Sequence, residues 1–335
     1  MLKFLKDWAL PISIVVGVVM YFVFTALPLP YSVHVLAGRV VSVVQPLLIF
    51  SMLFLSFCKI KPNDLRLCPW HAWLLGIQVL SFIIPALIII RHPDMEGRIL
   101  LESAMLCMIC PTATAAAVVV GKLGGNAAHL VTYTVIINLT ASIVIPLFAP
   151  LVHPQEGLTF LSASAAIIAK VFPLLICPLL LAWAVRYALP PLGQRLEHTG
   201  DLAFYIWTVS LSLAIAVSTR SIVHSRVGVL MLGGIALVSL LCCIVQFWLG
   251  KRIGAAFDRR SATLLSGKGG VREAPVGHVE KTTAGQSFGQ KNTVFLIWLA
   301  YTFFTPVTAI AGGFYCIWHN VINSWQLYRA QKEKT

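Results

Sequence analysis

Cys110-Pro-Thr-Ala-Thr-Ala-Ala-Ala117 and Gly285-Gln-Ser-Phe-Gly-Gln-Lys-Asn292 interrupt an otherwise oily chain at matching places in its two halves. Each stretch adjoins a hydrophobic run and carries small, polar or helix-breaking residues. Pro111 removes a backbone donor, and Lys291 places a cation at the depth of the apolar runs. Backbone that leaves regular helix inside a bilayer must find other hydrogen-bond partners, so it is tolerated only where it lines a protein cavity. One such break in each half is the best sequence pointer to a transporter's binding site. The expectation is a chain that moves a solute across a membrane.

Outward from these breaks, 58% hydrophobic and 11% charged residues over 335 positions exclude an ordinary soluble domain. A hydrocarbon core of about 30 Å needs roughly 20 apolar residues per crossing. Ten runs meet that need, at about 8–27, 33–57, 70–90, 98–121, 127–151, 162–185, 201–219, 227–249, 284–304 and 306–327. Lys3 and Lys6 before the first run also suit a signal peptide. The stretch from Trp8 to Leu27 is too long for one and lacks a small-x-small cleavage site, so it reads as a retained helix.

The net charge of +13 is a matter of orientation and not of nucleic acid. With the N-terminus inside, eighteen Lys and Arg fall on cytoplasmic segments, while Arg91, Arg98, Arg220 and Arg226 fall outside. That asymmetry follows the positive-inside rule and places both termini in the cytoplasm, compatible with a bacterial inner membrane. Of eight cysteines, six lie within runs, and Cys58 and Cys68 flank a cytoplasmic loop where thiols stay reduced. Cys107-Met-Ile-Cys110 reads as packing on an apolar helix. No zinc spacing, phosphate loop or nucleophile elbow appears, so no cofactor, metal or enzymatic activity is expected.

Five runs per half insert with opposite orientation, which favours an inverted repeat. The region 251–283, rich in Gly, Lys and Arg, reads as a mobile cytoplasmic insert, and 329–335 as a C-terminal tail. The fourth run is the clearest broken helix: apolar from Gly97 to Ile109, broken at Pro111, and resumed from Ala113.

Cys110-Pro111 with Thr114-Ala115, Gly289 with Asn292 and Leu299-Ala300, and Trp318-His-Asn320 together resemble the bile acid:sodium symporter family. Gly124-Gly-Asn126 and Thr134 add to the likeness. The resemblance implies an all-α membrane protein of about ten helices in two inverted five-helix repeats. It implies a panel domain at 1–60 and 160–222 and a core domain at 68–152 and 226–328, with broken fourth and ninth helices crossing in the core. A small organic anion would bind between the domains near the crossing, formed by Thr112, Thr114, Ser287, Gln290, Lys291 and Asn292. Alternating access would move one domain against the other.

The departures bear on coupling. Where the family carries a Ser-Asn pair, this chain has Ala116-Ala117; where it carries an acidic residue, Ser287; where it carries a glutamine, Lys291. Leu130 replaces a serine, and Thr134 alone keeps a hydroxyl as a residual cation-site position. Sodium, a hard cation, wants several oxygens, so none is expected at the family's usual sites. Lys291 would then be a tethered substitute for the cation, bonded to carbonyls of the first break and to Ser287, Thr112, Thr114 or Thr134. It would alternatively carry a proton between access states, or snorkel to the interface.

Arg39 reads as snorkelling outward, and Lys170 as a partner for Glu102 or for a substrate carboxylate. His319 reads as a satisfied packing histidine, and His129 as an interfacial one. The rival readings are a sodium-coupled symporter using backbone ligands, a solute-binding receptor or scaffold that has lost transport, and an intramembrane enzyme. The last lacks any catalytic motif.

Overall fold

The structure, a computed structural model, describes residues 9–154, 157–199, 202–225, 227–266 and 278–332. Among these the chain is all-helical, with fourteen α-helices, one 3-10 turn at Pro62–Asp64 and no strand. In order, the first helices are α1 (Ala9–Ala26), α2 (Tyr31–Cys58), α3 (Pro69–Arg91), α4 (Arg98–Ile109) and α5 (Ala116–Lys122). They are followed by α6 (Ala127–Val152), α7 (Phe160–Leu175), α8 (Cys177–Ala188), α9 (Pro190–Glu197) and α10 (Leu202–His224). The last four are α11 (Val229–Ser266), α12 (Val279–Gly289), α13 (Thr293–Phe303) and α14 (Pro306–Lys332).

Local chemistry sets several of these boundaries. Asn126 caps α6 by accepting from the amides of Ala128 and His129, at 3.0 and 3.2 Å. Thr159 caps α7 in the same way through the Ser162 amide. Pro173 inside α7 and Pro178 at the start of α8 leave a 42° bend between those two helices.

Among the described residues, five helices are long and apolar enough to cross a bilayer: α2, α3, α6, α10 and α11 over Val229–Asp258. Taking the bent pair α7 and α8 as one span gives six. The shorter apolar helices lie at Pro11–Ala26 and at α13. The expected last span coincides with α14, which buries His319, Asn323 and Gln326 and is less apolar for it. Burial is inverted relative to a water-soluble fold. Val43, Trp73, Ile84 and Leu237 are all more than half exposed, while Gln78, Glu102, Gln246 and Lys291 are at most 1% exposed. Apolar outside and polar inside is the pattern of an integral membrane protein.

The expected insert at 251–283 is corrected. Helix α11 runs on to Ser266 and α12 begins at Val279, so most of that segment is helical. Its sequence is amphipathic: Ile253 and Phe257 pack toward Trp70 and Phe288. The Asp258 carboxylate accepts from the Glu280 and Lys281 amides at 3.1 and 2.8 Å, holding the first turn of α12. The stretch 267–277 lies outside the described residues, as do Lys3, Lys6, Arg226 and Lys334 of the orientation argument.

Gly250 and Gly254 bring the two helices together. A Cβ on Gly250 would strike the Ala284 carbonyl, and one on Gly254 the Glu280 carbonyl. Gly285 and Gly289 answer from α12 against Lys251 and the Phe247 ring. This is the small-xxx-small contact that membrane helices use when no hydrophobic force separates lipid from protein. Gly254→Leu should therefore destabilise the purified protein by about 1–3 kcal/mol, since backbone atoms cannot yield. Gly233→Ala, where a Cβ meets nothing within 4 Å, should leave the unfolding temperature unchanged in the same thermal-denaturation assay. Equal shifts in both variants would contradict the packing argument.

Candidate functional site

The two interruptions meet each other. The first leaves helix between Ile109 and Ala116 and the second between Gly289 and Thr293, so the second break is three residues, Gln290–Asn292, and Gly285–Gly289 is helical. Thr112 and Lys291 face one another as an isolated antiparallel bridge. The Ala113 amide donates to the Gln290 carbonyl and the Asn292 amide to the Pro111 carbonyl, both at 2.8 Å. The Thr112 hydroxyl donates to the Ser287 carbonyl at 2.6 Å, and the Cys110 thiol to the Asn292 carbonyl at 3.1 Å. Asn292 then caps α13 by accepting from the Phe295 amide. Each break supplies the donors and acceptors that the other has lost.

The remaining free carbonyls are met by polar side chains buried in neighbouring helices. Gln78 of α3 donates to the Ile109 and Cys110 carbonyls at 3.1 and 2.9 Å, and the Tyr133 hydroxyl of α6 donates to Gln78 at 2.6 Å. At the other break the Tyr315 hydroxyl of α14 donates to the Gly289 carbonyl at 2.8 Å. Gln246 of α11 donates to Tyr315 at 3.1 Å and to the Cys107 carbonyl at 3.3 Å. Sequence reasoning passed over these four residues. The available signal was a single glutamine in each of two oily runs, a residue that hydrocarbon does not tolerate unpaired.

Two cavities flank the crossing. The larger, about 810 Å³, opens beside Lys59, Arg66 and Lys122 and reaches Thr114 and Thr134. The smaller, about 570 Å³, is bordered by Gln290, Lys291, His319, Asn320 and Asn323. Thr114, Phe204 and Trp207 border both. Around the smaller cavity Gln290 Oε1, His319 Nδ1 and Asn323 Nδ2 are buried without a protein partner. A buried polar group needs a partner, and water or a polar solute in the cavity would supply one to these three. His319 is therefore not the satisfied packing histidine expected, although its ring does stack edge-on with Tyr315 at 5.7 Å.

Lys291 overturns two expectations. It is fully buried, so it does not snorkel. Its Nζ has no hydrogen-bond partner and lies 5.0 Å from the centre of the Phe288 ring, a cation–π distance, so the expected carbonyl and hydroxyl ligands are not its partners. The thiols of Cys110, Cys107, Cys243 and Cys242 complete its surroundings. Only its backbone joins the bridge. Thr112 is spent on the Ser287 carbonyl, and the Thr134 hydroxyl on the Leu130 carbonyl at 3.0 Å. The Ser287 hydroxyl is itself buried without a partner.

Glu102 and Lys170 are not paired. Glu102, 1% exposed, is held by Arg98 and His153 at 2.8 Å each and by the Thr308 hydroxyl at 3.1 Å. Lys170 is exposed over the Phe303 ring at 5.5 Å. Both lie away from the crossing because α7 presents Lys170 outward, while Arg98, one turn before Glu102, takes the carboxylate first. Arg39 is exposed. The sequence matches no protein-family model and no curated protein.

Thr112→Val should cost about 1–3 kcal/mol, the penalty for leaving a buried carbonyl unsatisfied, and Thr112→Ser should restore stability. Chemical denaturation in detergent reads both. A valine variant as stable as the parent would mean that the crossing does not depend on this bond.

Proposed function

We propose that this protein is a secondary transporter resembling the bile acid:sodium symporters, carrying a small organic anion by alternating access. One observation carries the reading: two interrupted helices, each completed by the other, lie against a cavity whose mouth bears Lys59, Arg66 and Lys122 with Asp64. Excess positive charge at a cavity mouth favours an anionic solute. The cavity lies between α2 and α10 on one side and the first break with α5 and α6 on the other. In this reading those are the panel and core domains.

Ten spans in two inverted repeats fit the helices if α4 with α5, α7 with α8, and α12 with α13 each count as one broken span. The other seven are α1, α2, α3, α6, α10, α11 and α14. The paired side chains add support that hydropathy lacked. Gln78 and Tyr133 come from the spans before and after the first broken one, and Gln246 and Tyr315 from the spans before and after the second. A glutamine–tyrosine pair serving each break from equivalent spans is what a duplicated unit would leave.

Lys291 takes the place of a bound cation. Its amine is buried beside the crossing over the Phe288 ring, and Ala116 and Ala117 offer no side-chain oxygen to a sodium ion. Transport is then independent of sodium and needs no cofactor or nucleic-acid partner.

Uptake of a panel of labelled organic anions into proteoliposomes tests this directly. Replacing sodium by choline should leave the initial rate unchanged, and Lys291→Gln should lower it at least about tenfold or alter its pH profile, as loss of about 1.4 kcal/mol or more would. A strict sodium requirement would remove the substitution argument. Saturable binding without flux would instead establish a receptor that has lost transport.

A further inference from the structure

Away from the crossing, three metal-ligating side chains of different kinds converge at the beginnings of three helices. Cys68 immediately precedes α3, His129 lies in the first turn of α6, and Glu280 in the first turn of α12. One ligand atom from each lies within 4.8 Å of the others, and all three side chains are half-buried. His129 Nδ1 is already 2.7 Å from Glu280 Oε1.

We propose that Cys68, His129 and Glu280 form a zinc-binding site that clamps the starts of α3, α6 and α12. A thiolate, an imidazole and a carboxylate are the donor set of zinc. The single sulfur argues against magnesium or calcium, which take oxygen. With bonds of about 2.0–2.3 Å, tetrahedral ligands stand about 3.2–3.7 Å apart. The present spacing therefore needs adjustments of about 1 Å, within the reach of side-chain rotation. Three protein ligands leave a fourth position for water.

The groups behind the ligands fit the same reading. Trp70 Nε1 donates to Glu280 Oε2 at 2.8 Å, fixing the carboxylate and leaving Oε1 for the metal. The Cys68 amide donates to His71 Nδ1 at 3.1 Å, so the neutral His71 ring carries its proton on Nε2 and is not a ligand. That Nε2–H is buried, has no protein partner, and belongs to a ring 6.3 Å from that of His129. It is a spare donor beside the cluster, suited to a metal-bound water or to the thiolate. Burial, and behind it the Glu280 carboxylate, push the Cys68 thiol up to about 11. Coordination would ionise it at neutral pH, zinc taking the sulfur lone pair and the proton leaving to solvent. The site is independent of the transport reading, since no residue in it borders either cavity.

Cobalt(II) titrated into the purified full-length protein provides the test. A sulfur-to-cobalt charge-transfer band with tetrahedral d–d bands should appear at one equivalent and vanish on adding zinc. Cys68→Ser should lose the charge-transfer band. Glu280→Gln and His71→Gln should weaken cobalt binding at least about tenfold while keeping it, as supporting-shell and ligand losses do. If Cys68→Ser fails to fold, mass spectrometry of maleimide labelling at Cys68 in the parent protein serves instead, with zinc expected to slow labelling at least about tenfold. No band in the parent protein, a band that survives Cys68→Ser, or labelling indifferent to zinc would each overturn the site.

Discussion

Two backbone hydrogen bonds, Ala113 amide to Gln290 carbonyl and Asn292 amide to Pro111 carbonyl, allow this chain to leave helix twice in an apolar interior. A single break there would strand peptide groups at a cost of several kcal/mol each. Brought face to face, the two breaks form the smallest possible piece of antiparallel sheet and satisfy each other. The dependence is mutual: neither interruption is tenable without its counterpart. The side-chain donors Gln78 and Tyr315 then finish the helix ends that the bridge does not reach. The surrounding helices are thus tied to the crossing by polar bonds as well as by packing.

How much of this was legible in the sequence depended on how local each signal was. Pro111 and the small polar run around Gly289 announce the breaks in place, because helix disruption is a property of neighbouring residues. Their crossing was an expectation from resemblance, while their mutual backbone bonding was not foreseen, since no spacing rule relates Thr112 to Lys291. The helix of α11 beyond Lys251 was misread because a basic, glycine-containing stretch looks like loop by composition. Its Gly250 and Gly254 are instead the close-packing face toward α12. The partners of Glu102 and Lys170 were misassigned for a similar reason. Charge counting finds opposite signs but not the turn of helix that puts Arg98 nearer to Glu102 than any lysine. Cys68, His129 and Glu280 were invisible as a group, with the last two alone 151 positions apart.

The environment of Lys291 was the least legible feature and changes what its amine can do. A lysine among hydroxyls and carbonyls would be an ion-pair substitute held by oxygens. Here it lies over Phe288 and among thiols, soft and weakly polar neighbours that neither bind a proton tightly nor repel an ammonium strongly. Its only hydrogen-bonded atoms at the crossing are those of its own backbone. Within the transport reading, Lys291 borders the smaller cavity together with its neighbours Gln290 and Asn292.

Lys291 also belongs to the break that joins the two cavities. Its neighbours Gln290 and Asn292 are bonded to Ala113 and Pro111 on either side of Thr112, and Thr114 lies at the junction of the two cavities. Phe204 and Trp207 of α10 meet the same junction from the opposite side. Within the transport reading, sliding α10 against the break would close one cavity toward the other without parting the bridge, because no bridge bond involves α10. In that reading a rigid crossing and a moving helix would divide the work: the first would keep a costly backbone satisfied in every state, and the second would change which side the solute reaches.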